Sequence, residues 1–452
     1  MRPTVPSLAA LVLLLAAPAA APAQTGLTIY DDGRVLVRRT VPVRVPAGIS
    51  QHRLALGQLD PGSVFAQDSS VAILGAQYDA AVDDQNTMRR AVGRRLLFRV
   101  APPADTVGAV VLGVDPERFQ LADGTVSFGR PGQPLYPADL VLLAPTLTVG
   151  LRSAAARASL GLGWFTDGAS WEANYQVMLS GSSARVVAHA AIQAGALTAD
   201  SAEIQLLAGS VGRAKGPQLR DFGGRGMEVA MAPAPMAMAT SERVGEVYLY
   251  SIPGRLSLRP GLTTTAALFE PATTPVERTF TVTGSLPYWG AVMQQGEDSD
   301  VPVAVTYILR RAPRTAFGDR PIPGGIVRLY QPDESRRPQL IGEASVGHTA
   351  PGQDLRVDAG TAFDLTARRV QTSYTSRRDS SRTTATAAYR VIIANARDSA
   401  ATVDVLEERR GEWQVIQSSV PADRLSSTRS RFRVRVPARG EAVLTYTVRV
   451  VW

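Results

Sequence analysis

Cysteine is absent from the 452 residues, so the chain has no disulfide bond, no thiolate nucleophile and no cysteine ligand for a metal. The same absence excludes a lipid anchor carried on a cysteine. Histidine is scarce, with three residues, and a zinc site without cysteine needs several histidines at short spacing. A chain of this length can bury a large apolar core without covalent cross-links.

Lysine is also nearly absent, because Lys215 is the single lysine among 48 Lys and Arg residues. Arginine therefore carries the net charge of +8. In an exported protein, this balance favours anionic envelope polymers or lipids over nucleic acid as partners. The alternative is that the arginines are scattered over solvated strand faces and bind nothing.

Long apolar runs are missing except near the start, where Leu8 to Ala17 follows Arg2 and precedes Ala21-Pro22-Ala23. This run is about half the ~20 residues of a membrane-spanning helix, and its flanks are typical of a secretory signal. We expect residues 1–23 to be a signal peptide. The protein would then be exported, periplasmic or on the cell surface, without a transmembrane anchor.

Helical patterns are rare in a chain with 31 prolines and 39 glycines, and only Asp83–Arg94 and Arg152–Leu160 suit short helices. The dominant period is two, as in residues 171–179 and 431–436, with turn residues between the runs. The pattern predicts an all-β protein. We expect an N-terminal β domain over 24–150, then one or two antiparallel β-sandwiches over 151–452 with a low-complexity loop at 213–243.

Several stretches resemble one family of exported proteins. The strongest is PIPGGIVRLYQPDESRRPQLIGEASVGHTAPGQDLRVDAGTAFDLTARR at 321–369, supported by SWEANYQVML at 170–179 and YSIPGRLSLRPG at 250–261. They are similar to the bacterial proteins with domain of unknown function 4139, the mucoidy-inhibitor A-like group. The resemblance implies an N-terminal β domain and an envelope or capsule phenotype, with no established activity. Many relatives carry a coiled-coil insertion that this chain lacks.

Glu343 and His348 are the first candidate site, because they lie five residues apart in LIGEASVGHTAPGQ. As a pair they could be catalytic or could hold a metal. The alternative is a loop between two strands, in which His348 and Thr349 hydrogen-bond the turn backbone. The sequence predicts no cofactor and no metal.

A basic stretch, ARRVQTSYTSRRDSSRT, forms the second candidate. As a strand–loop–strand it would present a positive rim to phosphate or uronate groups. The arginines assigned to this anionic-surface site are Arg368, Arg369, Arg377, Arg378 and Arg382. A solvated hairpin without a ligand is the alternative.

The function that these patterns favour is a non-enzymatic envelope protein that binds a partner protein or an anionic envelope polymer. No nucleophile elbow, H-E-x-x-H helix or phosphate loop is present. An envelope hydrolase acting on carbohydrate or ester groups is the alternative, since paired carboxylates can come from distant strands. A weaker alternative, drawn from the terminal LTYTVRVVW, is an outer-membrane β-barrel. The sequence predicts neither the ligand nor the oligomeric state.

Overall fold

The protein is built almost entirely of β-strands in a computed structural model. The structure describes residues 25–102, 105–212, 239–285, 299–315, 317–379, 382–409 and 411–451. The strands before residue 168 are β1 (Thr25–Tyr30), β2 (Arg34–Val41), β3 (Gly48–Ala55), β4 (Phe65–Ala66), β5 (Val71–Asp79), β6 (Arg95–Arg99), β7 (Thr106–Val114), β8 (Glu117–Leu121), β9 (Val126–Phe128), β10 (Gln133–Leu135), β11 (Thr146–Ser153) and β12 (Leu160–Asp167).

The later strands are β13 (Ala169–Ser180), β14 (Ser183–Ala194), β15 (Ala199–Ala208), β16 (Thr240–Val244), β17 (Val247–Ser251), β18 (Leu256–Leu258), β19 (Thr263–Ser285), β20 (Ser299–Val301), β21 (Ala304–Leu309), β22 (Gly325–Pro332), β23 (Pro338–Val346), β24 (Leu355–Thr361), β25 (Leu365–Asp379), β26 (Arg382–Asn395), β27 (Ala401–Glu408), β28 (Glu412–Ser418), β29 (Ala422–Arg424), β30 (Arg429–Val436) and β31 (Gly440–Val451). The prediction of an all-β protein is confirmed.

The period of two in the sequence appears directly as alternating burial. In β13 the side chains of Trp171, Tyr175 and Val177 are buried, whereas Glu172 and Gln176 between them are exposed. Successive side chains of a strand point to opposite faces, so one face can pack on a core while the other meets solvent.

The described chain divides into two compact units. The first contains the described residues of Met1–Ala169, Gly195–Ile204 and Arg255–Pro260, and the second contains the other described residues. In the first unit the strand orders are β1-β2-β12-β4, β3-β11-β5 and β10-β6-β7-β8-β9. The chain returns to the first unit twice after residue 169, with Gly195–Ile204 and Arg255–Pro260. The boundary near residue 150 stays a prediction.

The second unit contains two large sheets. One follows the order β23-β22-β13-β14-β19-β27-β30-β29, with β21 and β24 attached, and the other the order β20-β25-β26-β31-β28. A single hydrophobic cluster draws side chains from both sheets, including Val403 and Phe432 from the first and Val391 and Leu444 from the second. The two sheets therefore form a β-sandwich, and the outer face of each sheet is open to solvent.

The one α-helix of the described residues is α1 (Asp84–Arg90), inside the predicted helical segment Asp83–Arg94. Asp83 caps it by accepting a hydrogen bond from the Asn86 amide. The prediction of a helix over Arg152–Leu160 is wrong. There β11 continues to Ser153, and Arg157 forms an isolated β-bridge with Val45 before β12 begins.

Two other predicted segments fall wholly or largely outside the described residues. They are the signal peptide, 1–23, and most of the low-complexity loop at 213–243; the last part of that loop is strand, since β16 covers Thr240–Val244. Within the described ranges, no helix has the length and apolar character that a membrane crossing requires.

Candidate functional site

Glu343 and His348 each have a partner of their own. Glu343 lies in β23 directly opposite Arg328 of β22, and their side chains form an ion pair of 2.6 Å. The exposed His348 follows the strand, and its Nδ1 accepts a hydrogen bond of 2.9 Å from the backbone N–H of Gly324. The contact to turn backbone that we expected of His348 is therefore present. A catalytic role for the pair stays a prediction.

His348→Ala is expected to lower the free energy of unfolding by about 1 kcal/mol, because one hydrogen bond to an exposed loop is lost. Urea-induced unfolding measures the change. His52→Ala is the matched control, since it removes the contact of another histidine with Ser50, 2.9 Å long. A loss above about 3 kcal/mol for His348 alone would show that it anchors more than this loop.

The basic stretch forms a hairpin in which β25 and β26 run antiparallel, with Arg377 opposite Thr384 and Asp379 opposite Arg382 at the tip. Arg368, Arg377, Arg378 and Arg382 are exposed, as we expected. Arg369 does not belong to this surface. Its side chain is 6% exposed, because the alternation that exposes Arg368 turns its neighbour into the sandwich.

The register of the sheet adds two arginines to this surface. Arg390 of β26 lies opposite Thr445 of β31, and Arg449 of β31 lies opposite Thr386 of β26. Both are exposed, on the same face of the sheet as Arg368 and Arg377. We call this set the arginine face, and its members are Arg368, Arg377, Arg382, Arg390 and Arg449. Both added residues occupy exposed positions of the alternating pattern, so the sequence indicates that they face solvent.

The arginine face has few acids close to its centre. Glu412 and Glu441 lie on the same face at opposite ends of the strands, and Asp379 lies at the hairpin tip. Asp300 of β20 lies directly opposite Arg368 at the edge of the sheet. In the part of the chain that the structure describes, Arg377, Arg382, Arg390 and Arg449 form no ion pair, and Arg449 donates a hydrogen bond only to the Gln414 amide oxygen, at 3.0 Å. Hydroxyl side chains fill much of the remaining face: Thr366, Ser373, Thr375, Thr384, Thr386, Thr445 and Thr447.

The outer face of the other sheet has an equally dense row of four arginines along β30, and acids pair with three of them. The exception among the described residues is Arg435 at the end of the strand. Arg429 pairs with Glu408, and Arg431 pairs with Asp423 at 2.8 Å. Arg433 lies 3.5 Å from Asp404. The contrast shows that arginine density alone does not mark an open cationic surface, since the cross-strand partners decide it.

Behind the arginine face, the sandwich core contains a buried group of charges. Arg369 and the fully buried Glu407 form a bidentate ion pair, with both N···O distances 3.1 Å. The Tyr446 hydroxyl also donates to Glu407, and Arg369 lies 4.0 Å from the centroid of the Tyr389 ring. Burial raises the pKa of Tyr446 well above its ordinary value, and the charge of Glu407 adds to the effect.

Arg409 is a second buried guanidinium, 2% exposed, beside this pair. It donates one hydrogen bond to the Ser430 hydroxyl and lies near the rings of Trp413 and Tyr446. Its Nε and Nη2 atoms have no hydrogen-bond partner among the described residues. The sequence carries no signal for this group, because nothing local distinguishes a buried arginine from the exposed ones around it.

The described residues contain no group of three or more histidines and carboxylates that could hold a metal ion. A comparison of the chain with protein-family models finds no match, and a comparison with curated proteins finds none.

Proposed function

We propose that the protein is an exported, non-enzymatic envelope protein that binds an anionic polysaccharide through the arginine face. The observation that carries the proposal is the contrast between the two sheets of one sandwich. Acids pair with Arg429, Arg431 and Arg433 of β30. In contrast, Arg377, Arg390 and Arg449 meet no ion-pair partner among the described residues. A carboxylate or phosphate group that binds such a face forms charge-assisted hydrogen bonds with the arginines, and no existing ion pair has to break first.

The shape and chemistry of the face favour a sugar chain. Strands in a sheet lie about 4.8 Å apart and rise about 3.3 Å per residue, so the face is an open, elongated platform. Its threonine and serine hydroxyls can donate to and accept from sugar hydroxyls, while the guanidinium groups take uronate or phosphate groups. The export part of the proposal rests on the signal-like sequence of residues 1–23 and on the resemblance to exported envelope proteins.

The test is the affinity of the purified protein for polygalacturonate at low salt, compared with neutral dextran. The triple variant Arg377→Ser/Arg390→Ser/Arg449→Ser should bind roughly 100-fold more weakly, because each arginine near an anionic surface contributes roughly 1 kcal/mol. Arg429→Ser/Arg431→Ser/Arg433→Ser is the matched control. It removes the same net charge from the neutralised face and should change the affinity less than threefold.

Equal losses for the two triple variants would mean that net charge alone drives binding, and would overturn the assignment of the arginine face. Binding to vesicles of anionic phospholipid in preference to the polysaccharide would replace the proposed ligand with a membrane surface. The envelope hydrolase remains the alternative from sequence, and no observation on the described residues favours it over binding.

A further inference from the structure

A pocket of about 230 Å³ lies elsewhere in the second unit, away from the arginine face. Two cross-strand pairs form its floor. Arg278 and Phe280 are two residues apart on β19 and therefore share a face of the sheet, and Tyr307 and Val305 of β21 lie directly opposite them. The long strand thus places a guanidinium and an aromatic ring side by side at the base of the pocket.

A second guanidinium enters the pocket from the turn after β26. The guanidinium carbons of Arg278 and Arg397 each lie 5.1 Å from the centroid of the Phe280 ring, so the two groups lie within about twice that distance of each other. The backbone holds Arg397 in place, because its N–H donates to the Asn395 side chain and its carbonyl accepts from the Arg439 N–H. Two like charges therefore converge on one cavity.

The charges of this pocket are incompletely compensated. Burial lowers the pKa of Arg397, and the neighbouring charge of Arg278 lowers it further. Asp364 also lines the pocket and offsets part of the repulsion. Neither arginine forms an ion pair with any residue that the structure describes. A bound anion would relieve the repulsion between the two guanidinium groups, which makes the pocket a receptor for negative charge.

Apolar side chains also line the pocket. Phe363, in the turn between β24 and β25, is 95% exposed, and Ile341 and Ala362 line the wall. An aromatic side chain that is this exposed gains hydrophobic contact area when a ligand covers it. The volume is below the ~300 Å³ at which pockets begin to enclose drug-sized ligands, so the ligand or the part of it inside the pocket is small.

We propose that this pocket binds a small organic carboxylate. The carboxylate lies between Arg278 and Arg397, and the apolar or planar body of the ligand packs against Phe280 and Phe363. The inference does not depend on polysaccharide binding, since it uses none of the residues of the arginine face.

The test is a ligand-observed NMR titration of the purified protein with benzoate, its neutral isostere benzamide, and inorganic phosphate. Benzoate should bind, benzamide should bind at least about tenfold more weakly, and phosphate more weakly than benzoate, because charge-assisted hydrogen bonds and ring packing are both needed. Arg278→Ser/Arg397→Ser should raise the Kd for benzoate about tenfold or more. The matched control Arg429→Ser/Arg433→Ser should leave this Kd unchanged.

If the double variant does not fold, Arg278→Gln alone keeps the test intact, because Arg278 is exposed on its strand. Phe363→Ser should weaken the binding of benzoate several-fold and leave the affinity for acetate unchanged. The comparison separates the contribution of the apolar contact from that of the charge. Equal affinity for benzoate and benzamide, a preference for phosphate, or no binding of benzoate would each overturn the proposal. The affinity for polygalacturonate should be the same in these variants as in the wild type.

Discussion

Glu407→Gln is expected to lower the free energy of unfolding of the second unit by about 3–5 kcal/mol. Glu407 is fully buried and is the carboxylate that pairs with the 6%-exposed Arg369. Removing one partner of a buried pair leaves the other charge without compensation in a medium of low polarity, which costs far more than the loss of a surface ion pair. Urea-induced unfolding followed by tryptophan fluorescence reports the change, since Trp413 lies in the same core.

Glu408→Gln is the control on the same strand, where the pair with Arg429 is about half exposed on both sides. It should cost under about 1 kcal/mol. The double variant Arg369→Met/Glu407→Met should recover most of the stability, because apolar side chains of similar length remove both charges together. A loss below about 1 kcal/mol for Glu407→Gln would contradict the buried pair.

Gly284→Ala is the second substitution with a large expected effect, a loss of about 2–4 kcal/mol. Gly284 of β19 lies beside Glu407 in the parallel pairing with β27. A Cβ atom at this position would overlap the Glu407 carboxylate and come within 2.8 Å of the Arg369 Nε. The pair would have to shift, and its bidentate geometry would be lost.

A double-mutant cycle shows whether the buried pair is the cause. In the Glu407→Ala background the carboxylate is gone, so adding Gly284→Ala should cost less than about 1 kcal/mol. Gly75→Ala is the control, because a Cβ atom on this strand glycine meets no atom within 4 Å, and the change should stay within about 0.5 kcal/mol. If the losses of stability from the two substitutions are additive, the cost of Gly284→Ala arises from the backbone and not from the ion pair.

The alternating pattern was sufficient to predict the strands, because a half-buried strand imposes period two on its own sequence. Residues 171–179 and 431–436 fall in β13 and β30 as expected. The helix over Arg152–Leu160 failed because an alanine-rich run has local helical propensity, while tertiary contacts decide the conformation. There Arg157 pairs with Asp68 and forms a bridge with Val45, and both partners are distant in sequence.

The arginine face could be predicted only in part. The hairpin supplied Arg377 and Arg382 from one local stretch, but Arg390 and Arg449 join them through the register of β26 with β31. Arg369 was misplaced because its burial depends on Glu407, 38 residues further along the chain. A single sequence does not specify which strands become neighbours, and those neighbours determine which charges are paired.

The salt dependence of polygalacturonate binding tests the central claim most directly. Each arginine that contacts a polyanion releases counterions, so the slope of log Kd against log salt concentration counts those contacts. The account predicts that Arg377→Ser/Arg390→Ser/Arg449→Ser reduces this slope by about 2, whereas Arg429→Ser/Arg431→Ser/Arg433→Ser leaves it unchanged. If the first triple variant has the same slope as the wild type, the arginine face is not the binding surface.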